Sequence, residues 1–154
     1  MITVDPSDLA RYSLFAGLGE EHLCFVLEGM GRVRYQPGDK IVEQGSKGDS
    51  VYFILSGSVE IVVDGVAIAG LDEGSQFGEM HLIDVQTRSA TVRALTRVDA
   101  LTLSNQDLLA LRRRNADACI MILMNCARDV SRRLRAMNKR FAATPMPEVA
   151  HPEV

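Results

Sequence analysis

The sequence has little of what marks secreted or membrane-spanning proteins. Its three cysteines, Cys24, Cys119 and Cys126, are an odd number without a Cys-x-x-Cys pair, so neither a disulfide framework nor a zinc site is predicted. No apolar run approaches the roughly 20 residues needed to span a bilayer. The first residues contain neither the basic nor the apolar segment of a signal peptide. We therefore expect a cytoplasmic protein without a membrane anchor, in which the cysteines are small buried side chains.

The length and composition are typical of one globular domain. The chain has 154 residues, of which 47% are hydrophobic and 24% are charged. These values are near the average for globular proteins and argue against a disordered or fibrous chain. A chain of this length can bury one substantial hydrophobic core.

The net charge of −3 conceals an uneven distribution along the chain. Residues 1–111 contain 8 Lys/Arg against 16 Asp/Glu, whereas residues 112–140 contain 9 against 2. The basic segment has three interpretations: the solvated face of a coiled coil, a surface for the acidic part of its own domain or a partner's, or a nucleic-acid contact. The first is favoured. The last is least favoured because no aromatic residue alternates with the charges and no helix-turn-helix follows.

The hydrophobic pattern changes twice along the chain. Apolar residues spaced three and four apart predict short helices up to about residue 30. Residues 31–104 then consist of short β-rich runs separated by glycines, which is typical of a sandwich or barrel and not of a parallel α/β sheet. Five runs are predicted as strands, at 40–43, 51–55, 58–63, 90–95 and 100–104.

The last third of the chain is predicted to be helical. A short capped helix begins at Asn105, and a second helix begins near Asn115 or Ala116 and continues to about Phe141. In the second helix, apolar residues alternate at steps of four and three, which predicts the seam of a coiled coil. The seam consists of Ala116, Ile120, Leu123, Ala127, Val130, Leu134, Met137 and Phe141. Residues 142–154 are proline-rich and are expected to be disordered.

The segment 76–94 carries a possible phosphate site. Gly78, Glu79 and Met80 can form one helical turn whose free N–H groups attract an anion. Arg88 follows nine residues after Glu79 and is the only cation between Lys47 and Arg93. Its guanidinium, together with the hydroxyl of Ser89 and the N–H of Ala90, can bind a phosphate.

Two other side chains in this segment suggest different roles. A carboxylate such as Glu79 only accepts hydrogen bonds, so it suits a sugar hydroxyl and not a phosphate. An arginine for phosphate and a glutamate for a hydroxyl together indicate a nucleotide with a single negative charge. His81 is interpreted as a partly exposed helix residue, in preference to a base-contacting or pH-sensing group.

The segment 76–94 resembles the phosphate-binding cassette of cyclic nucleotide-binding domains. That family, which includes catabolite activator proteins, protein kinase A regulatory subunits and cyclic-nucleotide-gated channels, has the pattern Phe-Gly-Glu-(Leu/Met)-x-Leu followed by Arg-(Ser/Thr/Ala)-Ala-(Thr/Ser)-Val. Segments 13–18, 36–45 and 51–60 are also similar to the family, so the resemblance covers about residues 10–140. It implies an α+β fold: an eight-stranded antiparallel β-roll (a double-stranded, jelly-roll-like β-helix) at about 31–104, N-terminal helices, and C-terminal helices at about 105–141. Residues 1–141 would form the cyclic nucleotide-binding domain.

The resemblance also implies a ligand and a site. Arg88, Ser89 and the N–H groups of Gly78 and Ala90 would hold the cyclic phosphate, and Glu79 the ribose 2′-hydroxyl. The base would meet the late part of the C-terminal helix, where Asn138, supported by Arg135, is the polar candidate. The candidate ligand-binding residues are Gly78, Glu79, Met80, Arg88, Ser89, Ala90 and Asn138. Cyclic AMP is favoured over cyclic GMP, and neither catalysis, a metal nor a further cofactor is expected.

The expected protein is a stand-alone bacterial receptor that signals by moving its C-terminal helix. It would form a homodimer through that helix and act on an unknown effector, with no DNA-binding domain. One alternative is a coiled-coil assembly protein with a vestigial pocket. Another is a regulatory fragment of a channel or kinase.

Overall fold

The computed structural model describes residues 2–145. The chain begins with two 3₁₀ helices (Pro6–Arg11 and Ser13–Phe15) and a third one, the cassette turn, spans Glu79–Leu82. The α-helices are α1 (Glu20–Gly29), α2 (Asn105–Arg114) and α3 (Ala116–Ala143). The strands are β1 (Gly31–Tyr35), β2 (Lys40–Val42), β3 (Ser50–Ser56), β4 (Val59–Val63), β5 (Val66–Leu71), β6 (Gln76–Phe77), β7 (Thr91–Ala94) and β8 (Val98–Ser104).

The eight strands form two four-stranded sheets, ordered β1-β8-β3-β6 and β2-β7-β4-β5. Every pairing in both sheets is antiparallel. The strand orders also show that consecutive strands lie in different sheets at several points, as a roll requires. The predicted α+β fold with an eight-stranded antiparallel roll is confirmed.

Strand β8 shows why the molecule has two apolar cores. Successive side chains of a strand point to opposite faces of its sheet. Leu101 and Leu103 belong to a core shared with the N-terminal helices, α2 and α3. Val98 and Ala100 face the second core, between the two sheets. The helices thus cover the outer face of one sheet and leave the mouth of the roll open beside the cassette turn.

The β-rich runs located five of the strands but missed β1, β5 and β6 as separate elements. In β1, Arg32 and Arg34 alternate with Val33 and Tyr35, so the strand has the alternation of a half-buried strand but only two large apolar residues to mark it. Strand β5 lies at a sheet edge and is exposed over almost its whole length, so no buried face imposes an alternation. Strand β6 has only two residues, which is too short for any period.

Helix α3 begins where the sequence predicts and extends two residues beyond the predicted end. The Asn115 side chain caps it by accepting a hydrogen bond from the N–H of Ala118 (3.1 Å). Residues 142 and 143 are therefore helical, and residues 146–154 of the predicted disordered tail lie outside the described residues. Among the described helices, none is long and apolar enough to cross a membrane.

The buried face of α3 differs from the predicted seam. The buried residues are Ala118, Cys119, Ile122, Asn125, Cys126 and Asp129. Of the seam, Ile120, Leu134, Met137 and Phe141 are exposed in the single chain, Phe141 by 72%. Helix α3 thus packs on the roll with one face, and the seam remains on another.

Candidate functional site

A cavity of about 340 Å³ lies between the sheet β2-β7-β4-β5, the cassette turn and α3. Its apolar floor comes from the roll, where Val42, Ile61, Leu71 and Val92 line it. Its polar wall comes from the cassette and from Arg133 of α3. An apolar floor with a few convergent polar groups is the usual form of a small-molecule site.

Six of the seven predicted ligand-binding residues line this cavity. They are Gly78, Glu79, Met80, Arg88, Ser89 and Ala90. Ser89 and Met80 are exposed, whereas Arg88 and Glu79 are buried. The fold therefore brings the two ends of the cassette together around one space, with both charged side chains held in its wall.

Arg88 is a buried cation whose guanidinium is held by neutral groups. Its Nη2 donates to the main-chain oxygen of Ser50 (2.9 Å), and its Nη1 lies 3.3 Å from Nδ1 of His81. In the described part of the chain, no carboxylate is within ion-pair distance of it. Burial lowers the pKa of Arg88 from its ordinary value, although a guanidinium remains charged. An anion in the cavity would supply the missing counter-charge.

Backbone contacts hold Arg88 in this position. Its N–H donates to the carbonyl of Ser46, and its carbonyl accepts from the N–H of Gly45, both at 2.8 Å. A Cβ on Gly78 would lie 2.6 Å from Nη1, and one on Gly48 would overlap the guanidinium as well. Gly78 also has φ +84, which few other residues adopt. Both glycines make room for the arginine, and the sequence pattern identified only Gly78.

Glu79 is the second buried charge and is only 1% exposed. It forms an ion pair with Arg133, yet its Oε1 accepts no well-directed hydrogen bond within the described residues. Burial raises the pKa of Glu79, and the charge of Arg133 opposes that effect. The carboxylate can therefore still accept a hydrogen bond from a hydroxyl group in the cavity.

Arg133 and His81 are site residues that sequence reasoning missed. Arg133 belongs to the basic segment 112–140, for which the solvated face of a coiled coil is the favoured interpretation, but it follows Cys126 and Asp129 on the face of α3 that packs on the roll. The helical spacing from Cys126 and Asp129 to Arg133 was the one feature of the sequence that could have indicated that Arg133 faces the roll. His81 is half-buried, as expected, but it also contacts Arg88.

Asn138 lies outside the cavity. It is exposed, as is every residue of α3 from 131 onward, because this part of the helix extends beyond the roll. Arg133, five positions earlier, is the α3 residue that lines the cavity. Within the single chain, Asn138 is therefore not placed with the other six predicted residues.

Comparison with known proteins identifies the relatives of this chain. A cyclic nucleotide-binding domain matches residues 32–115. The cyclic AMP receptor protein of Thermus thermophilus is 35% identical over 127 residues, covering 79% of this chain and 57% of the receptor. Glutaminase 1 of Bradyrhizobium diazoefficiens is 34% identical over 138 residues, covering 88% of this chain but 22% of that protein.

A solved structure agrees with these matches. The catabolite activator protein of Thermus thermophilus superposes with a TM-score of 0.74 at 32% identity, covering 84% of this chain and 62% of that chain. The chain thus spans about a fifth of the glutaminase and just over half of the receptor. From the match across the roll and cassette, we conclude that the chain belongs to the cyclic nucleotide-binding domain family.

Proposed function

We propose that this chain is a regulatory protein that binds a 3′,5′-cyclic nucleotide in the cassette cavity, with cyclic AMP preferred to cyclic GMP. The observation that carries the proposal is the buried guanidinium of Arg88, which faces the cavity without a carboxylate partner among the described residues. A cyclic phosphate has one negative charge, which matches this single cation. The Thermus thermophilus relative is named a cyclic AMP receptor protein, which supports cyclic AMP as the ligand.

The ribose of the ligand would contact Glu79. Its carboxylate is buried in the same cavity and can accept a hydrogen bond from the ribose 2′-hydroxyl. Ser89 and the N–H groups of Gly78 and Ala90 would complete the phosphate contacts, with Met80 beside them. For the base, Asn138 remains a proposal that needs either movement of α3 or a second copy of the chain, since it lies outside the cavity. All of these groups hold and orient a ligand, and none is proposed to catalyse a reaction.

Helix α3 is proposed to transmit occupancy of the cavity. Arg133 pairs with Glu79, the carboxylate that the ribose would use. A ligand that binds Glu79 must therefore share it with Arg133 or displace that side chain. Occupancy can shift α3 only by the difference in affinity between its two positions, typically worth about 1–3 kcal/mol.

Titration calorimetry with cyclic AMP and cyclic GMP tests the binding proposal. We expect heat from both nucleotides and tighter binding of cyclic AMP. Arg88→Ala should weaken binding by about 2–5 kcal/mol, because it removes a buried charged partner of the phosphate. Arg113→Ala, which removes one positive charge from an exposed position on α2, is the matched control and should bind like the unmodified protein.

Two outcomes would overturn the proposal. One is the absence of heat from either nucleotide with folded protein. The other is Arg88→Ala binding as tightly as Arg113→Ala, which would place the phosphate elsewhere.

A coiled-coil assembly protein with a vestigial cavity is the second candidate, and the exposed apolar seam of α3 favours it. Light scattering with and without cyclic AMP separates the two candidates. An assembly protein predicts a dimer whose mass and hydrodynamic radius do not respond to nucleotide, in a chain that shows no binding heat.

A further inference from the structure

His81 lies beside Arg88 in the wall of the cavity. Its Nδ1 is 3.3 Å from Nη1 of Arg88, and both residues line the cavity. The main-chain oxygen of His81 accepts a hydrogen bond from Nδ2 of Asn105, at the start of α2 (3.3 Å). The imidazole is thus held next to the guanidinium that would bind the phosphate.

This contact favours a neutral His81. A guanidinium has only donors, so the contact is a hydrogen bond when Nδ1 is unprotonated and the neutral ring carries its proton on Nε2, which is buried without a hydrogen-bond partner among the described residues. Burial, and then the charge of Arg88, lower the pKa of His81. Protonation of Nδ1 would break the hydrogen bond and place two cations in contact. The surroundings of His81 therefore oppose its protonation.

The other charges near His81 do not remove that opposition. Asp84, two residues after the cassette turn, raises the pKa of His81, but less strongly than Arg88 lowers it. Across the cavity, Glu79 is paired with Arg133. Asp49, from the loop before β3, interacts with Arg88 and lines a separate polar cleft with it. A phosphate on Arg88 would be the one new negative charge at this point.

We propose that His81 couples nucleotide affinity to pH, so that the protein binds a cyclic nucleotide more tightly when His81 is protonated. This inference rests on the proposed function, since it requires a phosphate at Arg88. The phosphate would offset the charge of Arg88 and stabilise the imidazolium, and binding would be accompanied by proton uptake. Coupling between two ligands is reciprocal, so acidification must then tighten nucleotide binding.

The test is titration calorimetry with cyclic AMP from about pH 7.5 to about pH 5.5, the range in which histidine titrates. Each pH is measured in two buffers of different ionisation enthalpy, which gives the number of protons taken up by the unmodified protein. We expect uptake of a fraction of a proton and an affinity that rises several-fold, up to about tenfold for each unit by which binding raises the pKa of His81.

Two variants assign the effect. His81→Gln keeps an acceptor for Arg88 but has no titratable group, so its affinity, whatever its value at pH 7.5, should lose the rise on acidification. His22→Gln, on α1 and away from the cavity, should retain that rise. The pKa of Glu79 is also raised, but Glu79 is present in both variants and in the unmodified protein. The difference in pH dependence between His81→Gln and the other two proteins therefore isolates His81.

Failure of this inference is distinguishable from failure of the proposed function. If the unmodified protein binds cyclic AMP but takes up no proton, or if His81→Gln has the same pH dependence, the inference is wrong and the proposed function stands. If no binding occurs at any pH, the proposed function fails and the inference fails with it.

Discussion

At the scale of single residues, the site consists of two buried charges that do not neutralise each other. Arg88 is surrounded by neutral acceptors, and Glu79 is paired with Arg133 from α3. Removing a charge from water costs free energy that only close partners can offset. If the two charges served only to stabilise the fold, we would expect Arg88 and Glu79 to form an ion pair with each other. Their separation around an open cavity suits a ligand that has both an anion and a hydroxyl.

Glu79→Gln should stabilise the ligand-free protein at neutral pH while weakening nucleotide binding. Because burial dominates and raises the pKa of Glu79, the ionised carboxylate destabilises the folded state. That cost is fully present above the raised pKa and is absent below the ordinary value of about 4.3. Each 1 kcal/mol of stability gained corresponds to about 2–4 °C in Tm for a domain of this size.

Thermal unfolding of both proteins as a function of pH checks this prediction. The gain in Tm of Glu79→Gln should shrink as the pH falls toward 4, because the unmodified carboxyl is then protonated too. A lower Tm for the variant at neutral pH would instead mean that the pair with Arg133 outweighs desolvation.

At the scale of elements, a polar junction fastens α3 to the rest of the molecule. Oδ2 of Asp129 accepts hydrogen bonds from Oγ of Ser13 (2.5 Å) and Nε2 of Gln76 (3.2 Å). Nδ2 of Asn125 donates to the carbonyls of Leu14 (3.0 Å) and Ala16 (2.8 Å). Gln76 belongs to β6, which opens the cassette segment and precedes the cassette turn. The junction therefore connects the N-terminal helices, the cassette strand and the helix that carries Arg133.

Asp129→Ala should destabilise the fold by about 1–3 kcal/mol, because it leaves the buried amide of Gln76 without its acceptor. Asp117→Ala is the matched control, since Asp117 lies exposed in the first turn of the same helix. Its loss removes only a favourable interaction with the helix dipole, worth less than about 1 kcal/mol. Urea denaturation measures both values. Equal losses in the two variants would show that the junction contributes no stability of its own.

At the scale of the whole molecule, the exposed seam of α3 predicts a homodimer. Ile120, Leu134, Met137 and Phe141 are all at least half exposed in the single chain. They lie 14, 3 and 4 residues apart, on the seam of four-and-three steps that matches a coiled-coil interface, which a second copy of the helix would complete. A dimer would also bring the late part of a second α3, including Asn138, near the first.

Light scattering on a sizing column should therefore give about twice the chain mass of 16.9 kDa. Leu134→Glu should shift the protein toward the monomer, because a charge in the seam would be buried on association. Leu109→Glu, on α2, makes the same change at a similarly exposed position, 50% against 57%, and should remain dimeric. A monomeric unmodified protein would refute the dimer, and a dimeric Leu134→Glu variant would place the interface elsewhere.

Local sequence patterns were sufficient to predict the class of fold and most of the cassette. These depend on local patterns: glycine-separated β runs, the 3–4 spacing in α3, and the interval from Glu79 to Arg88, each contained within a few turns or strands. Strands β5 and β6 were missed because exposure or short length removes the period that identifies a strand, and β1 because its alternation contains only two large apolar residues.

Which distant groups share the cavity depends on packing between elements that no local pattern predicts. That packing placed Arg133 against Glu79, Gly48 beneath the guanidinium of Arg88, and His81 beside it, while it left Asn138 outside. A period of 3.6 residues identifies the faces of α3, but not how far along its length the helix remains in contact with the roll. That distance is set by how α3 packs against the N-terminal helices and the cassette, which are contacts between residues far apart in the chain.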